Sequence, residues 1–356
     1  MGLKDSFQFW AIGQFLNTVI HSPEQAIPDR LEADKRLDLL GRLAVLRAGL
    51  SGLISGLIVV GVAFFLSDWE GASGLSGWSF ILILTIASSL TTVFELMFLY
   101  RDSLSTAARM AKILDIPQSE LEQVDLENSI SHWLIHAALG APGFHITMFG
   151  IDPLARIGKV GMLIRKTLKK FGVFAGASMF KLILRRMWVR LLGRVATRAV
   201  IEIVQLPVFI VLNMLGMHTM MKDMRSRLVG HEFTPQLFGH AFPEGLDSIE
   251  PGLLSALHAG MVEQITVARF IHPNQIRVLD LLGPVPSETH VPTETQLRRA
   301  NRFSMAVFSM SGKNSLRCRR FLRDLEQQLG SEEGRRVKQE IDDAIHDLTP
   351  LSRPWN

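Results

Sequence analysis

The chain has 356 residues, 47% of them hydrophobic and only 20% charged, and its formal net charge of +4 conceals strongly polarised segments. A single cysteine, Cys318, excludes an intrachain disulfide framework and a cysteine-based zinc cluster. No Walker phosphate loop, dinucleotide glycine fingerprint, serine elbow or zinc-hydrolase motif occurs and strand-like alternation is scarce, so no cofactor and no catalytic residue is implied.

At the amino terminus, Lys4 and Asp5 precede a polar-spotted stretch without a small-residue cleavage site, which does not read as a signal peptide. Phe9, Ile12, Leu16 and Val19 recur at helical spacing, so residues 5–21 predict a short amphipathic helix. It suits a membrane surface or the body of the protein equally. Pro23 and Pro28 then break the pattern, and residues 31–46 form a charged helix leading directly into an apolar run. Residues 1–47 are therefore read as cytoplasmic amphipathic and lead-in helices.

Residues 48–66 hold nineteen positions without a charge, about 28 Å as a helix, which matches a bilayer core. A second uncharged run covers residues 71–94, and the turn between them carries Asp68 and Glu70 but no cation. Lys4, Arg30, Lys35, Arg36, Arg42 and Arg47 precede the first run, while Arg101, Arg109 and Lys112 follow the second. This bias places both ends of a 48–100 transmembrane hairpin in the cytoplasm, with Trp69, Trp78 and Tyr100 at the interfaces. The competing reading is a buried helical pair in a large soluble core.

Within the hairpin, Gly52 and Gly56 form a small-residue face that packs either against the second helix or against another subunit, making a homo-oligomer conceivable. Glu95 lies six residues before Arg101, about 9 Å inside the inner interface. A carboxylate at that depth needs a partner, protonation or water, and Arg47 is the partner expected from the sequence. A structural ion pair is preferred to an ion or proton site.

Residues 101–230 read as a basic, amphipathic membrane domain with re-entrant elements. Residues 128–151 lack Asp, Glu, Lys and Arg but are broken by Gly140, Pro142, Gly143 and Gly150, which predicts a half-length membrane element. Burial in the cytoplasmic part is the competing view. His132 and His136 share a helical face there and are weak metal candidates to which His145 could be recruited, but no zinc-hydrolase glutamate and no cysteine accompanies them; satisfied interfacial histidines are preferred. Residues 152–198 contain twelve Lys or Arg against one acid, Asp152. Lys159, Arg165, Lys166, Lys169 and Lys170 flank one apolar face, and Arg186, Arg190, Arg194 and Arg198 repeat every four residues along another. Such helices suit anionic inner-leaflet headgroups, each cation contributing about 1 kcal/mol. Nucleic acid ranks lower, because the basic faces are paired with bulky apolar ones and no nucleic-acid motif is recognised.

Residues 203–221 are again uncharged, but cations flank both ends and Pro207 can kink a re-entrant helix, so a shallow or re-entrant element is expected rather than a full span. Residues 231–250 read as a linker from their Pro and Gly content. Residues 251–356 follow as a soluble helical association module, with helices over 251–271, 273–282, 293–310, 315–329 and 331–348. Thr293 and Gln296 have capping-box spacing, Asn314 is a candidate cap, and Gly283 and Gly330 mark helix ends.

The two helix pairs of this module, with "RVLDLLG" late in the first and "RFLRDLEQQLG" late in the second, resemble the helical domain of tellurite-resistance B type proteins over residues 251–348. The resemblance implies an association module in a membrane-associated bacterial complex, hence a bacterial inner-membrane location. That family often carries acidic interhelical turns. The corresponding turns here, "RFIHPNQ" and "SMSGKNS", lack carboxylates, so a metal-linked role is not carried over.

The sequence thus predicts an all-α integral membrane protein with cytoplasmic termini. Its expected role is a non-enzymatic scaffold or adaptor that binds anionic lipid and presents a helical module to an unidentified protein partner. An oligomeric channel or transporter with Glu95 in its pathway is the alternative, and a lipid-modifying enzyme using Glu95, His132, His136 and Asp152 is the third reading.

Overall fold

Every regular element among the described residues is a helix. The computed structural model describes residues 3–23, 26–27, 29–73, 77–121, 130–138, 151, 197–245, 248–284, 290–311, 316–346, 348–349, 351 and 355. They divide into two compact units: the described parts of 1–41, 103–156 and 220–356 form unit 1, and those of 42–102 and 157–219 form unit 2.

Helix α1 (Leu3–His21) contacts the short α4 (Gln118–Leu121) and α5 (Ile130–Ala138) within unit 1. It buries Ala11, Phe15 and Val19 and leaves Phe9 exposed. The buried stripe is rotated by about one residue from the expected one, in the element that packs on α4 and α5.

The charged lead-in and the first apolar run are one helix, α2 (Arg30–Ser73), with no proline between Pro28 and its end. The second run continues past Tyr100 as α3 (Gly77–Ile113). It stops where Asp115 takes a left-handed conformation, φ 55°, and the Ile116 amide donates back to the Ala111 carbonyl at 3.2 Å, just before Pro117. Both α2 and α3 contain a stretch long and apolar enough to cross a membrane.

Residues 197–241 form a single helix, α6 (Thr197–Ala241). The helix runs through Pro207, and the linker expected over 231–250 is helical as far as Ala241. Leu228, Phe233, Leu237 and Phe238 are buried there. Burial of these side chains outweighs the local effect of Pro235, and the Thr234 hydroxyl donates to the Gly230 carbonyl beside it, at 2.6 Å.

The carboxyl-terminal part of unit 1 comprises α7 (Pro251–Ala268), α8 (Pro273–Leu282), α9 (Glu294–Met310), α10 (Leu316–Leu329) and α11 (Ser331–His346). Helix α9 is central: it contacts the other four and buries Phe303, Met305, Val307, Phe308 and Met310. The expected Thr293–Gln296 capping box is present, and Gly283 and Gly330 follow their helices with φ of 75° and 92°. Asn314 lies outside the described residues.

The "RFIHPNQ" turn faces inward. His272, Asn274 and Gln275 are fully buried; the His272 ring accepts from the Asn274 amide at 3.2 Å, and the Gln275 side chain accepts from the His272 amide at 2.9 Å. The Asn274 side chain lies over Gly230 of α6, where an added Cβ would come within 2.4 Å of the carboxamide carbon, and it donates to the Ser226 carbonyl at 3.0 Å. Gly230 therefore serves close approach, and the turn docks helices. Phe238 and Phe242 add aromatic contacts to Phe303 at 4.9 and 5.3 Å. The last half of α6 is consequently core to the module.

Of the half-length element expected over 128–151, α5 and Ile151 are described. Ile130, Trp133, Leu134, Ile135 and Ala138 are buried in unit 1, which is the competing reading of that stretch. The Ser103 hydroxyl donates to the Ala138 carbonyl at 2.6 Å and anchors the end of α5.

Candidate functional site

The chemistry-bearing cluster of unit 2 is built on glycines of α2. Gly49, Gly52 and Gly56 fall at helical spacing on one face, and that face meets α6, not α3. A Cβ on Gly49 would lie 2.9 Å from Met214 Cγ, one on Gly52 2.8 Å from Asn213 Nδ2 and 3.2 Å from the Phe209 carbonyl oxygen, and one on Gly56 2.1 Å from Leu206 Cδ2. As the α2 number rises the α6 number falls, so the two helices run antiparallel. The expected small-residue contact is intramolecular, and the helix that fills it is α6.

This close approach brings Asn213 to the α2 backbone, where its Nδ2 lies 3.4 Å from the Ala48 carbonyl oxygen, and lets the same amide donate to Glu95 Oε1. Arg47 does not pair with Glu95. Its Nε lies 2.8 Å from Asp102 Oδ1, a mostly buried carboxylate at the start of the polar end of α3. Geometry explains the exchange: Asp102 lies about two turns beyond Glu95, at the level where Arg47 ends the charged part of α2.

Glu95 borders a cavity of about 30 Å3, together with Ser55, Gly56, Ser88, Thr91 and Thr92. The volume is enough for a water molecule and too small for an organic substrate. The Thr91 and Thr92 hydroxyls each donate at 2.8 Å to the carbonyl four residues earlier in their own helix, so each oxygen keeps acceptor capacity. The arrangement can hold a carboxylate and a water by amide and hydroxyl groups, with no cation paired to Glu95 among the described residues.

Among the described residues of unit 2, large apolar side chains are exposed on all three helices. Leu46, Leu50, Ile54, Leu57 and Phe65 of α2, Leu82, Ile86, Leu90, Val93, Phe94 and Phe98 of α3, and Val211, Leu212 and Leu215 of α6 are exposed, Phe94 to 70%. None of the most apolar window of α3 is buried. So extensive an apolar surface is abnormal for a water-facing domain.

His132 and His136 stack on α5 with ring centroids 4.4 Å apart, on the same face as predicted. Among the described residues no group of three His, Cys, Asp or Glu side chains is arranged to hold a metal. Lys159, Arg165, Lys166, Lys169, Lys170, Arg186, Arg190 and Arg194 lie outside the described residues, as does Asp152; Arg198 falls in the first turn of α6. Asn213 and Asp102 were missed by sequence reasoning. Their signal was present: Asn213 is an amide inside an otherwise apolar run, and Asp102 follows the interfacial pair Tyr100 and Arg101.

No family model matches the chain, and searches of curated proteins and of solved structures also return no match.

Proposed function

We propose that the protein is a non-enzymatic membrane scaffold, held in the bilayer by α2, α3 and α6 and presenting the helices of unit 1 to a protein partner on the cytoplasmic side. The observation carrying this reading is the apolar window of α3, none of which is buried. Cations at the Arg42, Arg47 and Arg101 end of the helices, against Asp68 and Glu70 at the other, support cytoplasmic termini. The resemblance of residues 251–348 to tellurite-resistance B type domains is part of this proposal, and with it a bacterial inner-membrane setting.

Helix α6 is assigned as a third crossing rather than a shallow element, and with both termini cytoplasmic the chain must then cross once more between α3 and α6. Leu206 meets Gly56 about halfway along the apolar run of α2, and nine further residues to Thr197 add about 13 Å, which completes the crossing. Arg198 then belongs at the outer end and leaves the inner-leaflet set. Lys159, Arg165, Lys166, Lys169 and Lys170 keep the proposed role of binding anionic lipid on the inner side.

Two experiments test the reading. The full chain should resist alkaline carbonate extraction; release would remove the membrane anchor. In a Cys318→Ser background, single cysteines at Gly74 and Thr197 should react with an impermeant reagent from outside, and one at the highly exposed Val291 should not. An unreactive Thr197 site would return α6 to a shallow element.

The cavity bordered by Glu95 favours a second reading, an oligomeric channel or transporter in which that carboxylate lines a water path. It requires ion flux in liposomes that falls with Glu95→Gln. Flux unchanged by that substitution would remove Glu95 from the path.

A further inference from the structure

Unit 1 contains a second, larger cavity whose chemistry neither the anchor nor the scaffold reading uses. It measures about 530 Å3, within the range of small-molecule sites, and lies among α6, α9, α10 and α11. Four cations line it, each brought by ordinary helix geometry. Lys222 follows directly on the uncharged run of α6; Arg319 and Arg323 are four apart and share a face of α10; Lys338 comes from α11. Two carboxylates, Glu326 and Asp342, also line the cavity, and Glu326 lies 3.9 Å from Arg335. Cations therefore outnumber acids by four to two around one concavity.

Two further observations point to a ligand. Lys222, Arg323 and Lys338 make no ion pair among the described residues, so their charges remain available. The Ser309 hydroxyl, on the α9 wall, is buried without a hydrogen-bond partner among the described residues. A buried hydroxyl in that state costs free energy unless something in the cavity pairs with it. Leu322, half-buried, supplies an apolar floor beside it, above the buried Met305 and Phe308.

We propose that this cavity binds a phosphate-bearing organic molecule. Its phosphate oxygens are held by the Arg323 guanidinium and the Lys222 and Lys338 ammonium groups, with the Ser309 hydroxyl donating to one of them, and its apolar portion lies on Leu322. Arginine fits this role through its planar fork of donors, which meets two oxygens at once, and the two lysines add charge without geometric demand. An apolar floor under a basic rim excludes a bare divalent cation and disfavours a purely inorganic anion. Phosphate of this kind reaches the cavity either as a lipid headgroup or as a soluble phosphate ester. The lipid source rests on the proposed membrane anchoring; the soluble source does not.

The test uses the full chain in a neutral detergent, with binding read from the shift in melting temperature and from titration of tryptophan fluorescence. The probes are dioctanoyl phosphatidic acid, glycerol 3-phosphate, inorganic phosphate and dioctanoyl phosphatidylcholine. Saturable binding of the phosphatidic acid, with none of glycerol 3-phosphate, assigns a lipid headgroup; binding of glycerol 3-phosphate comparable to that of the lipid assigns a soluble ester. Arg323→Gln combined with Lys338→Gln should weaken either one by about a hundredfold, about tenfold for each charged hydrogen-bond donor removed. Arg320→Gln, on the same helix but away from the cavity lining, should leave it unchanged. If the double variant fails to fold, Lys222→Gln and Ser309→Ala carry the same comparison, each expected to weaken binding about tenfold. The proposal is overturned if no phosphate probe saturates, if phosphatidylcholine binds as well as the acid, or if the cavity variants bind as the parent does. Binding in detergent is independent of carbonate extraction, so failure of the site and failure of the anchor are separate results.

Discussion

Helix α3 passes from one unit to the other, and its two parts treat apolar side chains in opposite ways. Over residues 82–98 Leu82, Ile86, Leu90 and Phe94 are exposed, whereas a turn beyond Arg101 the same helix buries Leu104, Ala107, Met110 and Ile113. Among the described residues of unit 2, Asn213 meets Glu95 and Arg47 meets Asp102, while hydrocarbon side chains are turned outward. Unit 1 gathers Phe303, Phe308 and Phe238 at its centre and covers them with charged helices such as α10 and α11. Hydrophobicity alone therefore does not specify burial. One continuous helix matches two surroundings, and the proposed bilayer accounts for the outward half.

The contrast would break most completely if the carboxyl-terminal helices were separated from the helices that carry them. A fragment of residues 251–356 lacks Met224, Leu228, Leu237 and Phe238, all buried in unit 1, and lacks the Ser226 carbonyl that Asn274 binds. It is expected to show no cooperative thermal transition by circular dichroism. A sharp melt would mean that the helices from α7 onward form an independent body.

Next in size is the removal of a buried charge from unit 1. Arg227 is 2% exposed; its Nη1 donates to the Trp133 carbonyl at 2.8 Å and its Nη2 lies 2.7 Å from Asp223. Arg227→Ala should cost about 3–5 kcal/mol, read as a fall in the denaturation midpoint of the full chain in detergent. A change below about 1 kcal/mol would show that α6 does not depend on this tie to α5.

For unit 2 the sharper comparison lies between two glycines of one helix. Gly52→Leu should overpack the α2–α6 contact and cost about 1–3 kcal/mol, whereas Gly61→Leu, with nothing within 4 Å of its Cβ position, should be close to neutral. Equal effects in a melting assay would deny α6 its place on the glycine face.

The smallest effect separates the units by pH. Burial pulls the His231, His240 and His258 rings below their ordinary value of 6.5; Arg277 adds to the shift at His231, while Glu120 at His231 and Glu340 at His240 oppose it. Below 6.5 the unfolded chain binds more protons than the folded one, so stability is full above 6.5 and declines as pH falls toward the depressed folded values. Unit 1 should melt earlier at pH 5 than at pH 7.5, by about 1 kcal/mol or less for each ring. His258→Gln should remove part of that dependence; an unchanged slope would exclude His258 as a contributor.

The candidate site was half legible in advance. Glu95 stood out because an acid in an uncharged run needs a partner, and Gly52 and Gly56 stood out by spacing. Their partners did not, because Asn213 is 118 residues from Glu95 and nothing local links them. The preference for Arg47 came from charge and depth alone, and Asp102 took that arginine by lying at its level.

What the sequence by itself determined is what acts over a few residues: helical class, the lengths of the apolar runs, the Thr293–Gln296 cap and the glycine stops at 283 and 330. These follow from 3.6-residue periodicity and end-group hydrogen bonding, which need no tertiary context. The fold alone decided which face of α1 is buried, that residues 231–241 are core rather than linker, and that the α2 glycines meet α6. Each of those choices turns on a rotation or a register between distant segments. A helix turns 100° with every residue, so a one-residue difference that local pattern cannot resolve changes which side chains meet.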